Sequence, residues 1–225
     1  MRSRYLAAIT DKPYWLAGGI PASACVAAYK PIGASNYAAS KINLANPGIY
    51  TAMDGTAYPD WDALSGWTSE TAKSEYLSTG INITGGFSIA IRFSGCAVSG
   101  ADVGTITGFY QDANSRYLFT PSFSSGHSFQ YGTSGSGLFA SPRLASGVAI
   151  LTPKAGYING IRTHDLSATT WSGTLAHAFP ICARRRGDSS TYDGYFQGTV
   201  VAISYYYMTL SPYQAAALTI AMNTL

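Results

Sequence analysis

The chain has 225 residues, of which only 11% are charged, with a formal net charge of +3. That is long enough for one large or two small domains, while the charge fraction is well below the roughly 25% of an average soluble domain. So small a positive excess argues against a nucleic-acid partner, and the apolar run Trp15–Tyr29 is broken by Gly18, Gly19 and Pro21, which argues against a membrane span.

Glycine (24) and tyrosine (17) are abundant. Small turn residues between short aromatic or β-branched runs point to an all-β architecture. Such a surface, poor in charge and rich in Tyr, Ser and Gly, suits packing against neighbours. The three cysteines, Cys25, Cys96 and Cys182, form no close pair and are expected as buried free thiols. Met1-Arg-Ser-Arg4 is basic, but Thr10-Asp-Lys-Pro13 breaks the apolar run behind it, so no cleaved leader is expected.

Residues 1–24 read as an extended arm with isolated aromatics, Tyr5, Tyr14 and Trp15, as its attachment anchors. Residues 25–225 read as one β-sandwich domain. Cys25–Tyr29 is a short strand, Asn36–Asn43 a helical turn, and Asn46-Pro47-Gly48 a turn. Phe87–Phe93 alternates cleanly, with Phe87, Ile89, Ile91 and Phe93 expected inward. Further strands are expected at 104–110, 117–120, 128–132, 148–152, 156–158 and 179–183. Asn159-Gly160 signals a type I′ hairpin. Arg184-Arg185-Arg186 reads as a solvated turn.

The run from Gly194 to Leu225 is a long strand followed by a short helix. Strict alternation places Val201, Ile203, Tyr205 and Tyr207 on one face and Val200, Ala202, Ser204 and Tyr206 on the other. Ser211, Pro212 and Gln214 form a capping box with proline at the first helical position. Tyr213, Ala217, Ile220 and Thr224 are expected to line one side of the helix, with Leu218 and Ala221 beside them.

Three stretches carry a resemblance: Glu75-Tyr-Leu-Ser-Thr-Gly80 followed by Phe87–Phe93, the hairpin at Tyr157-Ile-Asn-Gly160, and the terminal strand running into Met208-Thr-Leu-Ser-Pro-Tyr-Gln214. Together they resemble the concanavalin A-like lectin/glucanase superfamily, in its laminin-G-like branch. The resemblance implies a jelly-roll β-sandwich with a short C-terminal helix. Ala28-Tyr-Lys-Pro-Ile-Gly-Ala34 and Asn43-Leu-Ala-Asn-Pro-Gly48 look like segments preceding such domains in tailed-phage virion proteins. That implies a non-enzymatic structural or adhesive virion subunit, assembled in the host cytoplasm, whose partners are other virion proteins, further copies of itself or surface glycans. The alternative is a stand-alone lectin-like module.

Glucan hydrolysis, the superfamily's other activity, needs two carboxylates about 5–5.5 Å apart for retention. The chain has two glutamates, Glu70 and Glu75, with no aspartate between them, and the nearest pair is Asp60 and Asp62 around Trp61. No catalytic residue is therefore expected. His127 reads as a turn residue. No cofactor is expected; the alternative is calcium at the loop oxygens of Asp102, Asp112 and Asn114. The candidate ligand-binding side chains are Trp61, Trp67 and Trp171, set among Asp, Ser and Thr, because sugar faces stack on aromatic rings that have a polar rim.

Overall fold

The computed structural model describes residues 12–82, 86–112, 115–133, 138–171, 178–187 and 191–225. Strands and helices are numbered in chain order. Among these residues an eight-stranded central sheet runs β13 (Ile161–Asp165), β12 (Ala155–Ile158), β11 (Gly147–Leu151), β6 (Ser88–Ser94), β17 (Gly198–Tyr206), β4 (Gly66–Ser69) and β3 (Asp60–Asp62), with β1 (Cys25–Tyr29) also on β17. A six-stranded outer sheet runs β10 (Leu138–Ala140), β9 (Gly126–Tyr131), β8 (Ser115–Phe123), β7 (Thr107–Asp112), β15 (Ala183–Arg186) and β16 (Tyr192–Asp193). A smaller sheet joins β14 (Ala178–Ile181), β5 (Leu77–Asn82) and β2 (Met53–Asp54). The helices are α1 (Tyr37–Ser40) and α2 (Pro212–Asn223). The protein is an all-β sandwich with a C-terminal helix.

The main core lies between the two large sheets. Ile89, Ile91 and Phe93 of β6 meet Phe109, Tyr117, Phe119 and Phe129 of the outer sheet. The Phe93 and Phe119 rings are 5.5 Å apart across the gap. The alternation expected of Phe87–Phe93 is correct, but the other face of β6 is largely covered too, with Ser88 and Ala90 buried and Arg92 partly exposed. Ala90 packs with Ala202, Tyr206, Val148, Ile150, Leu218 and Met222 in a second apolar layer. The central sheet is thus covered on both faces, and all nine residues of β17 are buried.

Three local features build that second layer. The α2 cap is the expected box: the Gln214 amide N–H donates to Ser211 Oγ at 3.2 Å, and the Ser211 N–H to Gln214 Oε1 at 3.0 Å. Ser88 ties strand to helix, donating to the Met208 carbonyl at 2.7 Å and accepting from the Leu210 N–H at 3.2 Å. The third feature is the segment Tyr14–Gly19, a 3-10 turn packed against α2. Gly18 lies so close to the helix that a Cβ there would sit 2.9 Å from the Ala217 Cβ.

Three expectations change. The helix face is rotated: Ala215, Leu218, Thr219 and Met222 are buried, with Leu218 common to both faces, while Tyr213 is 73% and Ile220 66% exposed. Nearly every residue of the helix is apolar or small, so periodicity alone cannot choose a face. In β17 the faces switch at a bulge. Val200 pairs with Phe93 and Ala202 with Arg92, leaving Val201 as the extra residue. Val200 therefore joins Ile203 and Tyr205 in the main core. Finally, residues 12–24 do not leave the domain as an arm. Tyr14 is 6% exposed, and its hydroxyl lies 3.0 Å from the carbonyl oxygens of both Tyr29 and Ile203. Tyr5 lies outside the described residues.

The hairpin was legible residue by residue. Asn159 and Gly160 both have positive φ, 50° and 81°, and Ile158 pairs with Ile161. All three cysteines are free and buried, and burial pushes the Cys25 and Cys96 thiols up to about 12.

Deleting residues 1–20 should uncover the second face of the central sheet. Burying an apolar side chain is worth about 1.5–3 kcal/mol, so loss of Tyr14 and Ile20 should cost at least about 3 kcal/mol in urea unfolding. A truncated chain with the full-length midpoint would show that this layer is dispensable. Ser211→Ala should lower stability by roughly 0.5–2 kcal/mol through loss of the cap.

Candidate functional site

The tryptophans expected to hold sugar are dispersed. Trp67 is fully buried, with its indole N–H donating to Ser40 Oγ at 2.9 Å. It faces the main core because Gly66 lets β4 approach β17, where a Cβ would lie 2.4 Å from the Val200 carbonyl oxygen. Trp67 is a core residue and offers no face to a ligand. Trp61 pairs with it on β3, is half-buried, and donates its indole N–H to the Pro31 carbonyl at 3.0 Å. Trp171 is half-buried on the rim, 5.6 Å from the Tyr131 ring. Its indole nitrogen is buried with no partner among the described residues. Trp15, expected as an anchor, is half-buried against the Tyr14 ring at 5.2 Å, and its carbonyl accepts from the Tyr206 hydroxyl at 3.2 Å.

A different place gathers polar groups. Tyr117 and Phe119 point into the core, so Leu118 and Thr120 of β8 point to the other face of the outer sheet. On β9, Phe129 and Tyr131 point in, and Ser128 and Gln130 point out. Arg184 of β15 stands beside Gly108 on β7. These side chains line a cleft of about 250 Å³, together with Asp102, Thr105, Phe123, Thr71, Gly194 and Tyr195. The wall is tight. The Thr105 N–H donates to the Gly194 carbonyl at 2.7 Å. At Gly104, with φ +72°, a Cβ would sit 2.0 Å from the Tyr195 carbonyl oxygen, so only glycine fits.

The cleft's polar groups differ in how they are satisfied. The Thr105 and Thr120 hydroxyls lie 3.2 Å apart. Ser128 is 1% exposed, and its Oγ has no hydrogen-bond partner among the described residues. A buried hydroxyl without a partner is costly; this one lies behind the lining of the cleft. Arg184 gives Nε and Nη2 to the two oxygens of Asp193, at 2.8 and 2.9 Å, and its guanidinium sits 5.5 Å from the Tyr110 ring centre. The arginine run is therefore a strand, not the solvated turn expected, and Asp193 is shared between Arg184 and Arg186, whose Nε lies 3.0 Å from it. Asp102 accepts from the Ser124 N–H at 2.7 Å and from Arg143 Nη2 at 3.3 Å. Burial raises the pKa of the Tyr195 phenol, whose hydroxyl donates to the Tyr192 carbonyl at 3.0 Å.

Among the described residues no group of three or more His, Cys, Asp or Glu side chains is placed to hold a metal ion. Of the calcium candidates, Asp102 is engaged by Arg143, Asp112 closes β7, and Asn114 lies outside the described residues. Asp60 and Asp62 are both exposed on β3. Asp62 caps the turn behind it, accepting from the Leu64 N–H at 2.8 Å, and Asp60 faces Lys73 at 3.5 Å.

His127 is on β9 rather than in a turn. Its ring lies 5.2 Å from that of His164 on β13, where the edges of the two large sheets meet. A carbonyl only accepts, so the 2.9 Å contact from Nδ1 to the Pro142 oxygen places the proton on Nδ1. Nε2 is buried without a partner among the described residues.

No known family profile matches the chain, and no curated protein matches it in sequence. Solved structures match in fold. A Trypanosoma rangeli sialidase in complex with 2,3-difluorosialic acid superposes with a TM-score of 0.62 at 9% identity, over 90% of this chain and 33% of the sialidase. A further structure of Trypanosoma rangeli sialidase gives 0.58 at 10% identity, over 90% and 33%. Domain 4 of AbnA, a GH43 extracellular arabinanase from Geobacillus stearothermophilus, in complex with arabinotriose, gives 0.52 at 13% identity, over 87% of this chain and 98% of that domain. The chain thus spans 33% of the sialidase and nearly the whole of the arabinanase domain. At these identities what is shared is the β-sandwich.

Burial holds the His127 imidazole below its ordinary value, opposed by the Pro142 contact. Between the folded pKa and about 6.5 the unfolded chain binds more protons, so stability falls as pH drops through that window and levels off beneath it. Chemical denaturation from pH 7.5 to 5 should show this loss, and His127→Gln should flatten it. An unchanged slope in the variant would place the dependence elsewhere.

Proposed function

We propose that this protein is a non-catalytic carbohydrate-binding domain that takes a segment of a glycan into the cleft on the outer sheet. The observation that carries this reading is the cleft itself, whose lining gathers the hydroxyl residues Thr71, Thr105, Thr120 and Ser128 and the amide of Gln130. A sugar presents hydroxyls that donate and accept, and C–H faces that pack on rings. Thr120, Thr71 and Gln130 answer the first, and Leu118, Phe123 and Tyr195 the second. The volume, about 250 Å³, falls just below the usual range of ligand pockets, roughly 300–1,000 Å³. The fold shared with a domain seen with arabinotriose supports the same reading.

The absence of catalysis is part of the proposal. Among the described residues the cleft holds one carboxylate, Asp102, which is tied to Arg143. Two-carboxylate glycoside hydrolysis has no second member there. In the virion setting that the sequence resemblance implies, such a cleft serves adhesion to a glycosylated surface.

Titration calorimetry against a panel of oligosaccharides tests the reading. Gln130→Ala and Tyr195→Ala should each weaken binding by about tenfold, which is the effect of losing an energetically central contact, while Trp61→Ala should leave it unchanged. Binding that survives both cleft changes and disappears in Trp61→Ala would move the site to the other end of the molecule.

A further inference from the structure

The side of the molecule away from the cleft carries a second recess. It lies beside the layer formed by α2 and the Tyr14–Gly19 turn, across the central sheet from the outer one. Its volume of about 350 Å³ falls within the usual range of ligand pockets, roughly 300–1,000 Å³. Trp15, Pro13, Leu44 and Leu225 give it apolar surface, and Lys12 and Lys30 give it charge. We infer that this groove is a second binding site, which takes a sugar bearing an acid group, sulfate or carboxylate. It is separate from the outer-sheet cleft and does not rest on the reading given for that cleft.

Charge and ring together point to that chemistry. Among the described residues the ammonium groups of Lys12 and Lys30 make neither an ion pair nor a hydrogen bond, whereas Lys41 and Lys73 are ion-paired. An ammonium has three donors and no acceptor, and its hydrogen bonds to an anion are the strong, charge-assisted kind. Trp15 is half-buried, set nearly perpendicular to the Tyr14 ring at 5.2 Å, and its indole nitrogen makes no hydrogen bond among the described residues. It offers a π-face to sugar C–H groups and an N–H to a hydroxyl. A single-stranded nucleic acid asks for rings in succession. Here Tyr14 is buried, with its hydroxyl turned to β1 and β17, and Trp15 alone of the two is partly exposed. The backbone behind these side chains is tied down. The Leu16 N–H donates to the Pro13 carbonyl at 2.9 Å, and the Leu44 N–H to the Ala28 carbonyl of β1 at 2.8 Å. Tyr206 holds the Trp15 carbonyl at 3.2 Å. Lys30 directly follows β1, and the next carbonyl, of Pro31, accepts from the Trp61 indole at 3.0 Å. A groove with fixed walls has little backbone freedom to lose on binding.

The experiment titrates a heparin tetrasaccharide, a hyaluronan tetrasaccharide and an oligothymidylate into the full-length protein by calorimetry. Heparin carries sulfate and carboxylate and hyaluronan carboxylate alone, so the pair distinguishes the acid group. At least one of the two should bind, and raising salt from about 0.1 M to about 1 M, which shortens the screening length from ~10 to ~3 Å, should weaken it. Lys12→Gln, Lys30→Gln and Trp15→Ala should each weaken acidic-sugar binding about tenfold, the loss expected of a central contact. Gln130→Ala, in the outer cleft, should leave it within about twofold. The two lysine variants should melt with the wild type, because neither ammonium has a partner among the described residues to lose, so their effect is not unfolding. No binding of either acidic sugar, binding that survives the lysine changes and disappears in Gln130→Ala, or tighter binding of the oligothymidylate each overturns the inference. Failure of neutral oligosaccharides to bind the outer cleft overturns the reading of that cleft and leaves this groove standing.

Discussion

Everything in this fold depends on covering both faces of the central sheet. Nine consecutive buried residues in β17 leave no face for water. One side is closed by the outer sheet. The other is closed by α2 and the turn at Tyr14–Gly19. Tyr14 fastens that cover: its phenol reaches the carbonyls of Tyr29 on β1 and Ile203 on β17, two strands that pair with each other. A hydroxyl at full burial must find such acceptors, and the same pairing explains why the Tyr206 hydroxyl reaches back to Trp15. The N-terminal segment is therefore bound by polar contacts as well as by apolar area.

The cleft owes its rigidity to the opposite side of the sandwich. Its floor strands, β8 and β9, are held from beneath by Phe119 and Phe129, whose rings stack at 4.7 Å. Outward positions on such a floor cannot relax far when a ligand arrives. Leu118, Thr120, Ser128 and Gln130 hold their spacing because the residues between them are locked in the core. Polar groups displayed on a sheet are better preorganised than the same groups on a loop.

Much of the fold was legible in the residues. The alternation of Phe87–Phe93, the Asn159-Gly160 turn and the Ser211–Gln214 box each specify a local geometry with little competition. Three features were not legible, for identifiable reasons. A bulge at Val201 cannot be seen in a uniformly apolar strand, because shifting the phase leaves the pattern unchanged. The helix gives no phase either, since Tyr213 and Ile220 are as apolar as Leu218 and Met222. Trp67, with Ser and Thr beside it, reads as a ligand-binding candidate, yet Gly66 lets its strand approach β17 and the ring is buried in the core. The cleft was the least legible feature: it is built not around tryptophans but from Ser, Thr and Gln at alternate positions of β8 and β9. The usable signal was the polar half of that alternation, read together with a single arginine opposite a glycine.

The central position of β17 also sets the order in which this chain can mature. Its partners β1, β4 and β6 are all made earlier, the first by residue 29 and the last by residue 94. None of them can complete its hydrogen bonding until residues 198–206 leave the ribosome, and α2 follows later still. For most of its synthesis the nascent chain carries Ile89, Ile91 and Phe93 on a strand whose central neighbour does not yet exist. Sheet closure across such separations is slow, and the waiting strands are open to the wrong partner. The few charged residues in this sequence then have a further task during synthesis, to keep unfinished edges apart until the last strand arrives.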